Sequence, residues 1–271
     1  MIKFAAICPH PATMIPGIGS RIELEKTKET IEGMKKLSEI FRKADIDVIV
    51  IISPHGPIEY QTVTINTSPT LFGEFGRFGN YETTFQFDND LEIVRLLAEK
   101  ANERNTPIQL IEQTTVDHGV SVPIKVLTDN YEKKISVVPV YYSLPDDQIN
   151  TDFGKILYDV CQKHQKNIAI IASGDLSHCL TFDAPLGLSL EGPVFDKEFA
   201  QALDANNIYK IRTMPKELIE RAKECGYLST IMLLGLIEAY NENELHRKVE
   251  FKSISYSGTT GTGYLVGYWN F

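Results

Sequence analysis

Two continuous β-branched runs constrain this chain more than anything else in it. Asp47–Ile52 (DVIVII) and Asn167–Ala172 (NIAIIA) show no polar alternation, the pattern of strands covered on both faces. Ile2–Ile7 (IKFAAI) and Lys134–Tyr142 (KISVVPVYY) have the same character. Between them lie segments with apolar residues at helical spacing. Ile22–Lys43 carries Ile31, Met34, Leu37, Ile40 and Phe41, and Leu91–Asn105, Asp152–Gln165 and Leu228–Tyr240 follow suit. Shorter strands are expected at Gln61–Asn66 and Glu82–Phe87, around a glycine-rich excursion, and at Pro107–Ile111, and two more near Lys248–Tyr256 and Gly263–Tyr268. This alternation predicts an α/β fold, with a central mixed, largely parallel sheet flanked by helices. No linker composition or internal repeat interrupts it, so residues 1–271 read as one domain.

Bulk properties exclude several functions. A formal net charge of -9 repels phosphate backbones, and the basic cluster Lys35, Lys36, Arg42 and Lys43 shares its helix with glutamates. Nucleic acid is not an expected partner. The apolar start breaks early at Cys8-Pro9-His10-Pro11, which is too short for a signal peptide, and no run approaches a membrane span. A cytoplasmic protein with no membrane partner is expected. The four cysteines form no C-x-x-C pair and are expected to be free thiols. Cys161 reads as helix packing, and Cys8, Cys179 and Cys225 lie beside site candidates. Gly17-Ile18-Gly19 lacks the third glycine of a dinucleotide fingerprint, and Gly258, Gly261 and Gly263 lie between two strands; both read as turns.

The histidines carry the functional signal. His164 and His246 have charged neighbours and read as surface residues. His10, His55 and His178 follow three of the core strands, and His118 sits in an Asp117-His118-Gly119 loop. Ligands of open α/β sheets bind beyond the carboxyl ends of strands, so separate strands would deliver imidazoles to one rim. Prolines 9, 11, 54 and 57 stiffen two of the loops. Imidazole suits zinc, copper, iron or nickel, and two histidines with a carboxylate suit non-haem Fe(II). His10 and His55 are the natural metal pair, while Asp175 and His178 are placed to share a proton. A Ser–His–Asp hydrolase built on Ser177 is the rival reading, but the chain has no G-x-S-x-G elbow.

Cys8-Pro9-His10-Pro11, Ser53-Pro54-His55-Gly56, Asp117-His118-Gly119 and Ser173-Gly174-Asp175-Leu176-Ser177-His178, in this order, resemble the type III extradiol ring-cleavage dioxygenases, typified by the protocatechuate 4,5-dioxygenase β-subunit. The ending Tyr256-Ser257-Gly258 through Gly261-Thr262-Gly263-Tyr264 is most similar to the Memo-like branch of that superfamily. The resemblance implies His10 and His55 as metal ligands, His178 as the base that deprotonates a catechol, and His118 as a second-sphere residue positioning oxygen or substrate. It implies Fe(II) as cofactor, with a small aromatic substrate and O₂ as partners. A C-terminal glutamate completes the dioxygenase ligand set. Here that region reads Lys223-Glu224-Cys225-Gly226, and Cys225 rather than Glu224 aligns with the position, as in Memo-like proteins. A thiolate favours zinc or copper. The alternative expectation is therefore a Memo-like metal-binding, redox or interaction protein without ring cleavage. An assembly of identical copies is compatible with either.

Overall fold

The computed structural model describes residues 1–145, 147–244 and 248–271, so the surface reading of His246 lies outside the described residues. The strands are β1 (Ile2–Cys8), β2 (Val48–Ser53), β3 (Glu59–Tyr60), β4 (Val63–Asn66), β5 (Thr70–Phe75), β6 (Asn80–Asp88), β7 (Ile108–Ile111), β8 (Ser136–Tyr141), β9 (Ser143–Leu144), β10 (Ile168–Ser173), β11 (Phe251–Ser257) and β12 (Tyr264–Asn270). The helices are α1 (Arg21–Lys43), α2 (Leu91–Glu103), α3 (His118–Thr128), α4 (Asp147–Cys161), α5 (Glu191–Asp204), α6 (Ile208–Arg212), α7 (Lys216–Ala222) and α8 (Tyr227–Asn243). No helix among the described residues is long and apolar enough to cross a membrane.

The main sheet runs β11-β12-β1-β10-β2-β8-β4-β7, with the β5–β6 hairpin joined through β8. Its centre, β1-β10-β2-β8, is parallel, and β12 and β4 add antiparallel neighbours on either side. The expected mixed, largely parallel sheet is thus the observed one. β2 shows why the continuous apolar runs exist. Val48, Val50 and Ile52 join the core under α2, α4, α5 and α8, while Ile49 and Ile51 join the core under α1 and α3. A residue facing either way meets a helix layer, which is why Val48 to Ile52 are all apolar.

Three readings from sequence need correction. Asp117-His118-Gly119 is not a loop: Asp117 caps α3, accepting the Val120 backbone N–H, and His118 is the first helical residue. Pro123 and the β-branched residues around it have low helix propensity, but Val120, Val122, Ile124 and Leu127 bury the helix face in the core, which outweighs it. The glycine-rich stretch before Glu82 contains β5, whose alternate residues are buried against β6 and α3. His164 is not a free surface residue. It follows α4, its side chain is 9% exposed, and its Nδ1 accepts the Lys166 backbone N–H.

Candidate metal centre

β1, β10 and β2 lie side by side and run the same way, so Pro9-His10, Gly174-Asp175 and Pro54-His55 emerge from one edge of the sheet. His10 and His55 come from strands separated by β10, and their rings lean inward over its end. Their Nε2 atoms are 3.0 Å apart. Two nitrogens bound to one metal at about 2.1 Å are held roughly 3.0–3.4 Å apart, so this is the spacing of paired ligands. The His118 ring stacks on His55 at 4.3 Å between centroids and meets His10 edge-on at 5.2 Å. Ligating atoms of His10, His55 and His118 all lie within 4.8 Å of one another. The structure therefore brings His118 into the His10–His55 cluster rather than behind it.

A second group of ligating atoms, equally compact, joins His10, Asp175 and Cys225. The Cys225 Sγ is 3.7 Å from His10 Nε2. Cys225 reaches this position through a two-way link: its N–H donates to the Asp175 carbonyl at 3.2 Å, and the Asp175 N–H donates to its sulfur at 3.3 Å. Gly174 and Gly226 make this possible, since a Cβ on Gly174 would lie 2.2 Å from the Gly226 Cα. Glu224 belongs to neither group. Its carboxylate turns back to accept the Tyr227 backbone N–H at the start of α8, and burial pushes it up to about 7.

Hydrogen bonds orient two of the rings, those of His10 and His178. His10, 2% exposed, holds Nδ1 on the Ser173 hydroxyl at 2.9 Å, leaving Nε2 for the cluster. Its backbone N–H donates to Asp175 Oδ1 at 2.9 Å. The His178 Nδ1 donates to the Lys223 carbonyl at 2.6 Å, so a neutral His178 carries its lone pair on Nε2. That Nε2 is 3.8 Å from Asp175 Oδ2, too far for a hydrogen bond but close enough for attraction between charges. His178 is not a member of either ligating group. Ser177 turns away, its hydroxyl accepting the Cys179 N–H beside the Cys179 sulfur, which leaves the hydrolase reading without a nucleophile.

Burial favours the neutral form of His10, His55 and His118. It holds His10 well below the ordinary histidine value, with His55 and His178 adding repulsion. His118 is brought down to about 3 by burial and by His10 and His55. His55 is the exposed member, yet its ring is crowded enough that lost hydration lowers it too. Burial pushes the Asp175 carboxyl and the Cys225 thiol upward. Neutral imidazoles present the lone pairs that a cation needs, and a bound cation would deprotonate the thiol. His118 Nδ1 is buried with no hydrogen-bond partner, a further sign that the donor set fits a metal. Sequence reasoning missed Phe78, whose ring lies 5.5 Å from that of His118, because it falls in the glycine-rich stretch that showed no strand period.

Fold and cluster together define the class: an α/β protein with a histidine-rich, metal-type donor set at the carboxyl ends of parallel strands. Residues 4–267 match the family described as the catalytic LigB subunit of aromatic ring-opening dioxygenase, and the chain belongs to that family. Protein CA_C1420 of Clostridium acetobutylicum is 29% identical over 271 residues, covering 96% of this chain and 56% of that one, so the chain spans little more than half of that relative. The 3,4-dihydroxyphenylacetate 2,3-dioxygenase of Escherichia coli is 20% identical over 223 residues, 76% of this chain and 79% of that one. The crystal structure of the uncharacterized protein JW3007 from Escherichia coli K12 matches with a TM-score of 0.67 over 98% of this chain and 99% of that one, at 15% identity. That likeness supports the fold.

Proposed function

We propose that residues 1–271 act as one cytoplasmic, non-haem Fe(II)-dependent extradiol dioxygenase that opens the ring of a catecholic substrate with O₂. The observation that carries this reading is the meeting of His10, His55 and His118 nitrogens at the end of β10. His10 and His55 would hold the metal, with Cys225 or His118 completing the set, and Asp175 steadies His10 through its backbone N–H. The bound metal would supply a template for the two diol oxygens and for O₂.

The chain's own residues do the rest. His178 Nε2 accepts the proton of a substrate hydroxyl, with the ring fixed by its Nδ1–H on Lys223. Asp175 stabilises the imidazolium that forms. Ser173 fixes which His10 nitrogen faces the metal. Glu224 has a structural role at the start of α8. A second reading, a Memo-like metal or redox protein without ring cleavage, draws support from Cys225, since a thiolate suits copper or zinc better than Fe(II).

Anaerobic reconstitution with Fe(II), followed by a catechol panel and O₂, separates the two. Ring cleavage incorporates both oxygen atoms and yields a yellow semialdehyde, with one O₂ consumed per diol. His178→Ala should keep its iron and lose roughly 10²–10⁴-fold in turnover. Stoichiometric iron without O₂ uptake on any diol would remove the dioxygenase reading and leave the second.

A further inference from the structure

The four basic residues of α1 do not share one environment. Lys35 and Arg42 line a cavity between α1, the end of α3 and the 3₁₀ turn Ala12–Met14, and Lys36 and Lys43 are outside its lining. The cavity measures about 330 Å³. Sites for small molecules begin at roughly 300 Å³. Ile31, Met34, Lys35, Ser38, Glu39 and Arg42 recur three and four positions apart, so they form one stripe of α1 along the cavity. The stripe changes character along its length, from Ile31 and Met34 to Arg42. Met34, with Met14 and Ile15, supplies a buried apolar floor. The polar end closes on the last turn of α3: the Ser38 hydroxyl donates to the Leu127 carbonyl at 3.2 Å, and Arg42 reaches the Asp129 carbonyl at 3.5 Å.

The charges of the lining do not cancel. Lys125 pairs with Asp129 at 3.2 Å. Among the described residues neither Lys35 nor Arg42 has a carboxylate partner, and both are exposed. Set against Glu39, they leave an excess of one positive charge. An apolar floor beside a single unmatched cation fits an apolar tail with one negative charge at its head. The two methionines adapt to an unbranched chain, and the guanidinium fork matches a carboxylate.

We propose that this cavity binds a free medium-chain monocarboxylate, its chain over Met14, Ile15 and Met34 and its carboxylate between Lys35 and Arg42. None of the cluster histidines lines it, so the site does not rest on the dioxygenase reading. Its occupant packs on α3, which opens with His118, and on the turn that follows His10. The test uses full-length protein stripped of metal, so that no carboxylate can bind to a cation at the histidine cluster. Isothermal titration compares octanoate, octanol, octyltrimethylammonium and octyl phosphate. Octanoate should bind once per chain, roughly 5- to 20-fold more tightly than octanol, between the reach of an exposed ion pair and that of a charge-assisted hydrogen bond. Hexanoate should bind about tenfold more weakly than octanoate, for two methylenes fewer. Arg42→Gln with Lys35→Gln should erase the preference for octanoate and leave octanol within about twofold, because both side chains are exposed. Lys36→Gln should change neither affinity. Val126→Trp fills the groove from a half-buried position and should abolish octanoate binding, with its own melting curve showing that the variant folds. Equal affinity for octanoate and octanol, or a preference that survives the double variant, overturns the anionic head. Tighter binding of octyl phosphate or of octyltrimethylammonium than of octanoate overturns the monocarboxylate. Octanoate binding that Val126→Trp leaves intact, or saturable binding by no probe, removes the site.

Discussion

Gly174→Ala tests whether the contact between two glycines holds the site together. The new Cβ would sit 2.2 Å from the Gly226 Cα and 3.0 Å from its nitrogen, both backbone atoms that cannot rotate away. Relief to an ordinary contact needs a shift of about 1.2 Å between the segments bearing Asp175 and Cys225. That shift breaks the link formed by the Cys225 N–H on the Asp175 carbonyl and the Asp175 N–H on the Cys225 sulfur. Overpacking and two weakened hydrogen bonds together should cost about 2–5 kcal/mol. For a chain of this size, Tm should fall by roughly 5–15 °C. Scanning calorimetry on metal-free protein reads the loss without contribution from bound cation. Cys225 is the cysteine that is not buried, so the variant should also react faster with a thiol reagent, and Cys225→Ser supplies the background. Gly187→Ala is the control: a Cβ there meets open space, so its cost comes from the positive φ alone, about 1 kcal/mol. A Gly174→Ala protein with wild-type Tm and unchanged thiol reactivity would refute the reasoning.

Three further outcomes are expected. His55→Ala should abolish stoichiometric metal binding, read by elemental analysis, while changing metal-free stability little, because His55 is exposed; retained metal would contradict its assignment. Cys225→Ser should lower metal affinity, whereas Glu224→Gln should keep it and cost about 1 kcal/mol in denaturant unfolding, since the Glu224 carboxylate accepts the Tyr227 N–H at the start of α8; the reverse pattern would make Glu224 the ligand. Asp196 is raised by burial to about 6 from an ordinary 3.8, despite hydrogen bonds from Tyr256 and the Ser177 N–H. Its folded form holds the proton more tightly than its unfolded form. Its contribution is therefore fully present below about pH 4 and is lost as pH rises through 6, roughly 3 kcal/mol in all. Asp196→Asn should flatten that part of the stability–pH profile, and an unchanged slope would exclude Asp196 as its source.

The central sheet and the cluster were readable because both rest on local signals. Runs such as Asp47–Ile52 announce strands buried on two sides, and the residue after such a run sits at a strand end wherever the fold is parallel. That logic reached His10, His55 and His178. It reached His118 only as a loop histidine, because its position depends on α3, a helix formed by tertiary burial against the propensity of its own residues. Choosing between Glu224 and Cys225 was likewise beyond local pattern. The neighbours point opposite ways because Glu224 closes a helix terminus while Cys225 bonds to Asp175, a partner fifty positions away. Phe78 escaped notice for a third reason. Its place beside His118 follows from two tethers of the β5–β6 hairpin, Phe72 paired with Thr115 and the Asn80 amide donating to the Pro16 carbonyl, that only the folded chain creates.

The order β1-β10-β2 has a metric consequence. Neighbouring strands are spaced by their hydrogen bonds at about 4.8 Å, so the bases of the His10 and His55 loops are held roughly 9–10 Å apart by the sheet itself. Two imidazoles leaning inward from that distance bring their Nε2 atoms to 3.0 Å, while the middle strand fixes the distance between the points where their loops begin. The width of the centre is therefore set by the pitch of the backbone lattice. Side-chain substitution can change which atoms face the centre, but the span between its loop bases stays that of two inter-strand steps.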